Sequence, residues 1–100
     1  VINPNIHKLN KAFENRVRLG IMSVLMVNDS VDFNTLKDLL QITDGNLASH
    51  SAALEKEGFL HIKKEFVGKK TLTTYSATKT GIKAFEEHLD ALEKLIKKLD

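Results

Sequence analysis

From about His7 to Val27 the apolar residues Leu9, Phe13, Val17, Ile21, Val24 and Leu25 recur at steps of three and four, predicting a helix that buries one stripe. The polar run "NDSVD" breaks that pattern with turn-forming Asn and Asp. In "FNTLKDLLQI" the residues Phe33, Leu36, Leu39 and Leu40 fall on one side of a short second helix, with Asp32 or Asn34 as its N-cap. A third helix follows in "TDGNLASHSAALEKEG", where Thr43 caps the first turn, Asp44 suits the positive end of the dipole, and Gly58 is placed to end it in a left-handed conformation. The pattern then changes. "FLHIKKEFV" and "TLTTYSA" are rich in β-branched and aromatic residues and are joined by "GKK", which predicts an antiparallel hairpin with Gly68 in its turn. Thr78 opens a long amphipathic helix that runs to the end of the chain.

The expected architecture is therefore α+β and mainly helical: a winged helix-turn-helix of three helices and a β-hairpin wing, followed by a long C-terminal helix. It spans 1–100 as one domain, with an N-terminal arm at 1–6, the body at 7–77 and the last helix at 78–100. In that last helix Ile82, Phe85, Leu89, Leu92, Ile96 and Leu99 alternate steps of three and four, a heptad seam. The first helix can cover its beginning, but a body of this size leaves Leu89 to Leu99 in need of another surface, and a second copy of the chain is the simplest one. Phe85, Leu89, Leu92, Ile96 and Leu99 are the expected dimer interface.

The chemistry lies on the third helix. With Leu47 at the centre of its buried face, steps of about 100° put Ser51 and Leu54 beside it and Gly45, Asn46, Ser49, Ala52, Ala53 and Lys56 toward the other side. That outward face is small and polar, as a helix entering the major groove requires, because bulky or acidic side chains hold a backbone away from base edges. Asn46 suits bidentate pairing with adenine, Ser49 a donor or acceptor role, and Ala52 or Ala53 a thymine methyl. His50 lies at the edge of the buried face, suited either to packing or to a phosphate or base. The same face also fits an ordinary solvated helix, so its context decides. In the hairpin, Lys63, Lys64, Lys69 and Lys70 fall within eight positions, with Glu65 the only acid among them. Lysines so placed suit phosphate contact, and also protect an exposed ribbon from edge-to-edge pairing. Tyr75 and Phe66 are expected to be structural, joining the ribbon to the body.

Charge and composition narrow the field. A formal net charge of +2 does not by itself announce a polyanionic partner, so the placement of the lysines matters more than their number. There is no Cys, hence no disulfide and no thiolate metal site. The glycines are scattered without a phosphate-cradling loop, and there is no nucleophile elbow. His7, His50, His61 and His88 are far apart and form no helical pair, so neither a metal nor a cofactor is expected, and no enzyme. No apolar run reaches membrane-spanning length and "VINPNIHKLNKAF" lacks the order of a signal peptide, which predicts a soluble, cytoplasmic protein.

The run "RVRLGIMSVL", with "TDGNLASH" leading into "LEKEGFL" and then "GKKTLTTYSATKTG", resembles the small winged-helix transcriptional regulators of the MarR and ArsR groups over about residues 13–90. The resemblance implies that Gly45, Asn46, Ser49 and His50 lie on a recognition helix and that Lys69, Lys70 and Thr71 lie on the wing. It further implies that Arg16 or Arg18 approaches the phosphate backbone, with a structural ion pair as the other role for Arg18. One departure stands out: where the family pattern has an aliphatic residue after Ser-His, this chain has Ser51, which needs a local carbonyl partner if buried. The resulting expectation is a homodimeric regulator of transcription that binds double-stranded DNA at a palindromic operator. The alternative is a winged-helix protein-interaction module without DNA affinity. A small-molecule effector is left open; in the absence of a separate effector domain, it would occupy the dimer interface or a groove between the first and last helices.

Overall fold

The computed structural model describes residues 6–97. Four α-helices and a three-stranded antiparallel sheet make up the described residues: α1 (Arg16–Met26), β1 (Val31–Asp32), α2 (Phe33–Leu40), α3 (Asp44–Lys56), β2 (Leu60–Val67), β3 (Lys70–Ala77) and α4 (Lys79–Ile96). Two short 3-10 turns, Ile6–Lys8 and Lys11–Phe13, precede α1. This is the mainly helical α+β, winged helix-turn-helix plan that the hydrophobic pattern predicts.

The first helix is shorter than its periodicity implies, because two asparagines interrupt it. Asn10 Oδ1 accepts from the Ala12 backbone N–H at 2.9 Å. Asn15 Oδ1 accepts from Val17 N at 2.9 Å and Arg18 N at 3.1 Å, which makes it the N-cap of α1. Phe13 nevertheless reaches the core from the 3-10 turn. The chain around "NDSVD" holds a strand that its turn composition concealed: Val31 pairs with Tyr75 and Asp32 with Thr74, placing β1 on the outer edge of β3. Asp32, rather than Asn34, caps α2 and accepts from the Thr35 hydroxyl at 2.6 Å. That hydrogen bond holds its carboxyl below the usual aspartate value.

Helix α3 ends in a Schellman arrangement. Gly58 adopts a φ of +80°, its N–H donates to Glu55 O at 2.9 Å, and Phe59 N–H donates to Leu54 O at 3.0 Å. The Phe59 ring stacks on Phe13, their centroids 5.2 Å apart. Across the hairpin, Val67 pairs with Lys70 around the two-residue loop Gly68–Lys69. Gly68 has a φ of +67°, the positive value that a II′ turn places at its first loop residue.

Phe13, Ile21, Met22, Leu25, Leu36, Leu47, Leu54, Leu60, Tyr75 and Phe85 form the core. Two expectations change here. Phe85 belongs to this chain's own interior, edge-on to the Phe13 ring at 5.0 Å, and is not available to a partner. Phe66, expected to be structural like Tyr75, is 81% exposed, because the ribbon beyond Ile62 has run past the helices and has nothing to pack against. Leu99 and most of the expected N-terminal arm lie outside the described residues.

His88 of α4 is buried and ties the chain's beginning to its end: its Nδ1 accepts the Asn10 backbone N–H at 2.9 Å, and its ring lies 5.4 Å from that of Phe13. Burial pushes the imidazole below its ordinary value, partly opposed by the nearby Glu14 carboxylate. The folded state thus prefers neutral His88, while the unfolded chain takes up its proton near pH 6.5. Stability is expected to fall as pH drops below about 7, a loss that grows until pH reaches the depressed folded value. Replacing His88 with Leu keeps bulk but orphans the Asn10 N–H, at a cost of about 1–3 kcal/mol at neutral pH. Melting curves from pH 7 to pH 5 should be flatter for that variant; an equal slope would remove His88 as the titrating group.

Candidate nucleic-acid interface

Helix α3 buries Leu47, Ser51 and Leu54 and turns Gly45, Asn46, Ala48, Ser49 and Ala52 to solvent. His50 and Ala53 are half-buried at the borders of that face. The buried serine is satisfied locally: Ser51 Oγ donates to Ala48 O at 3.3 Å, the back-bond that lets a hydroxyl replace an aliphatic side chain in the helix seat. Burial pushes the Tyr75 phenol up, and the neighbouring Ser51 hydroxyl opposes part of that shift. Thr43 accepts from Asn46 N at 3.1 Å and fixes the start of the helix.

Asp44, which would repel phosphate if free, is paired with Lys37 of α2 at 2.9 Å. The hydrogen bond and charge of Asp44 raise the Lys37 pKa. This ion pair spans the turn between α2 and α3 and neutralises the acid at the entrance to the polar face. Lys37 also lies over the Phe33 ring at 5.9 Å.

A groove of about 470 Å³ separates α3 from the ribbon, lined by Ala48, Ser51, Ala52 and Glu55 on one wall and Ile62, Lys64, Thr73 and Tyr75 on the other, with Phe33 beside them. Glu55 accepts from Ile62 N at 3.3 Å and braces the two walls. The small side chains on the helical wall leave room, and Lys64 and Thr73 offer a cation and a hydroxyl across from them. Lys69, Lys70 and Thr71 are exposed at the far end of the ribbon. Arg18 lies on α1 outside the groove lining; among the described residues it makes no ion pair, and its Nε is buried without a hydrogen-bond partner.

Of the residues expected from sequence, Gly45, Asn46 and Ser49 share one solvent face, and the ribbon carries Lys69, Lys70 and Thr71. Lys37 and Thr73 were not anticipated. The signal for Thr73 was present in strand alternation, which puts it on the same side as Tyr75. The pairing of Lys37 with Asp44 is a contact between helices and left no mark on either one's periodicity.

A helix-turn-helix whose second helix shows a small polar face, joined to a lysine-bearing β-ribbon, defines the winged-helix class of nucleic-acid-binding domains. The chain belongs to the winged helix DNA-binding domain family, whose model matches residues 17–96. An uncharacterised protein of Methanocaldococcus jannaschii is 33% identical to it over 90 residues, covering 90% of this chain and 98% of that one. Among solved structures, a transcriptional regulator homologue from Pyrococcus horikoshii is 31% identical with a TM-score of 0.81, covering 89% of this chain and 88% of its own. HlyU from Vibrio cholerae is 30% identical with a TM-score of 0.64, covering 82% of this chain and 84% of its own. By family and fold the protein is a winged-helix DNA-binding domain. Among the described residues, no helix is long and apolar enough to cross a membrane.

Proposed function

We propose that this chain is a sequence-specific regulator of transcription that binds double-stranded DNA as a homodimer, with α3 in the major groove and the ribbon on the phosphate backbone. The observation that carries this reading is the α3 face: Gly45, Asn46, Ser49 and Ala52 are exposed and small, and the one acid at its entrance is already paired with Lys37. Asn46 and Ser49 read base edges, Gly45 lets the helix start approach the backbone, and His50 and Ala53 contribute at the borders. Lys69, Lys70 and Thr71 hold phosphates, and Arg18, with no carboxylate partner among the described residues, has its charge free for the same use. The similarity to a transcriptional regulator homologue supports the regulatory role.

The homodimer rests on α4, where Ile82 is 36% exposed, Leu89 42% and Ile96 80%, seven residues apart, with half-buried Leu92 beside them. An apolar row at heptad spacing on a helix that already packs its other side is what a second copy of that helix covers. Two-fold pairing would set the two α3 helices about 34–36 Å apart and favour a palindromic operator.

Selection from a random duplex library, followed by titration of the winners against salt, tests the reading. Asn46→Ala should cost about 1–3 kcal/mol on the preferred site and little on random DNA. Replacing both Lys69 and Lys70 with Ala should weaken both and lower the salt slope by about two. Equal losses for Asn46→Ala on both duplexes would remove it from base reading. Binding without salt dependence or sequence preference would instead favour a protein-interaction module.

A further inference from the structure

The ribbon carries an aromatic residue for which the fold has no use. Phe66 is 81% exposed near the hairpin tip, makes no aromatic contact with another described residue, and adds nothing to the core. A bare phenyl ring on a projecting strand is free to meet a partner surface. Two features say which one. Lys64 lies on the same side of the ribbon as the ring, Lys63 and Lys70 lie on the opposite side, and Lys69 is in the turn; the only acid in this stretch, Glu65, lies 3.8 Å from Lys63, so the tip suits a polyanion rather than a neutral apolar groove. The strand register then fixes the side. Phe66 pairs with Thr71, Lys64 with Thr73 and Ile62 with Tyr75, so all six point to the same side of the ribbon. Lys64, Thr73, Ile62 and Tyr75 line the groove beside α3. The ring is therefore on the side where a duplex seated on α3 would lie, whereas Val67 points to the other.

We infer that Phe66 is a minor-groove wedge: with α3 in the major groove, the ribbon reaches the adjacent minor groove and the Phe66 ring enters a base step there, partly unstacking it and bending the duplex toward the major groove. The flanking lysines hold the phosphates on either side of that step. Because the cost of unstacking depends on the step, the wedge selects flexible pyrimidine–purine steps, TA or CA/TG, at a position that α3 does not touch. Phe66 thus sets specificity in the flank of the operator. This inference rests on the DNA-binding reading and adds to it a second, aromatic mode of readout.

The test uses the full chain on its selected duplex, with 2-aminopurine placed at steps along the flank and a fluorophore pair at the duplex ends to report bending. The wild type should raise 2-aminopurine emission at one flanking step and shorten the end-to-end distance. Phe66→Ala should melt like the wild type, lose both signals, bind roughly tenfold more weakly and no longer favour a flexible flanking step. Phe66→Trp should restore them, and Val67→Ala should leave them unchanged. If Phe66→Ala keeps the emission change, the bend and the flanking preference, the wedge is wrong while DNA binding by α3 stands. If the wild type shows no salt-dependent duplex affinity, the DNA reading fails and takes the wedge with it. Phe66-dependent binding to vesicles containing phosphatidylserine, with no effect of Phe66 on the duplex, would assign the tip to a membrane surface and overturn the wedge.

Discussion

Gly81→Ala is expected to lower the melting temperature by roughly 10–20 °C, corresponding to a loss of about 2–3 kcal/mol for a domain of this size. The reason is a crossing of two backbones. A Cβ at position 81 would lie 2.0 Å from Phe59 O and 2.7 and 2.8 Å from its carbonyl carbon and Cα, none of which is the free end of a flexible side chain. The surrounding hydrogen bonds hold that geometry: Thr78 N donates to Phe59 O at 3.1 Å, the Thr78 hydroxyl donates to Gly58 O at 2.6 Å, and Gly81 N donates to the Thr78 hydroxyl at 2.9 Å. An added methyl must push α4 off the end of α3 and stretch all three. Gly20 and Gly45 provide the comparison. At Gly20 the near atom is a methyl end of Leu40 at 2.9 Å, which can rotate away, and at Gly45 nothing lies within 4 Å. Gly45→Ala should hold or gain up to about 1 kcal/mol through helix propensity. Thermal denaturation followed by circular dichroism ranks the three, and a Gly81→Ala protein that melts with the wild type would refute the crossing argument.

Leu89→Glu combined with Ile96→Glu should yield a folded monomer that binds a palindromic duplex at least a hundredfold more weakly, yet binds an isolated half-site as the wild type does. Both side chains are substantially exposed within one chain, so charging them leaves the core untouched. Facing each other across a two-fold axis, the carboxylates would desolvate without partners and repel. Loss of pairing then removes the effective-concentration advantage of two linked helices, a factor on the order of 10²–10⁴. Light scattering gives the mass and titration on the two duplexes gives the ratio. A wild-type monomer at tens of micromolar that still binds its palindrome tightly would end the dimer model. Phe85→Glu is a contrasting variant: its buried position predicts unfolding rather than dissociation.

The order of elements was legible because each is announced by its own residues. Thr43 and Gly58 delimit α3, Gly68 turns the hairpin, Thr78 starts α4, and steps of 100° from Leu47 sort α3 into a buried and a polar face that the structure reproduces except at Ala53, which is half-buried rather than outward. These are local effects, carried by contacts a few residues apart, and so they can be read from neighbouring letters. The first helix is less legible. Leu9, Phe13 and Val17 keep helical spacing through a stretch that Asn10 and Asn15 break into 3-10 turns, because an apolar side chain can reach the core from either geometry.

Periodicity states which side of an element is apolar, but not whether anything lies opposite it. The heptad letters of α4 look equivalent, yet Phe85 meets Phe13 in the core while Ile82, Leu89 and Ile96 remain exposed, a division made by where the N-terminal turns and Asn10 meet His88, 78 residues away in sequence. The aromatic character of Phe66 likewise suggests a structural role without revealing that the body ends before it. Asp44 sits in the first turn of α3 as its letter suggests, but its pairing with Lys37 from another helix could not be read there. Elements, caps and the polar face follow from short-range chemistry written in the chain. The free apolar row, the exposed aromatic tip and the paired acid depend on which distant segments come within a few ångströms, and only packing in three dimensions sets that.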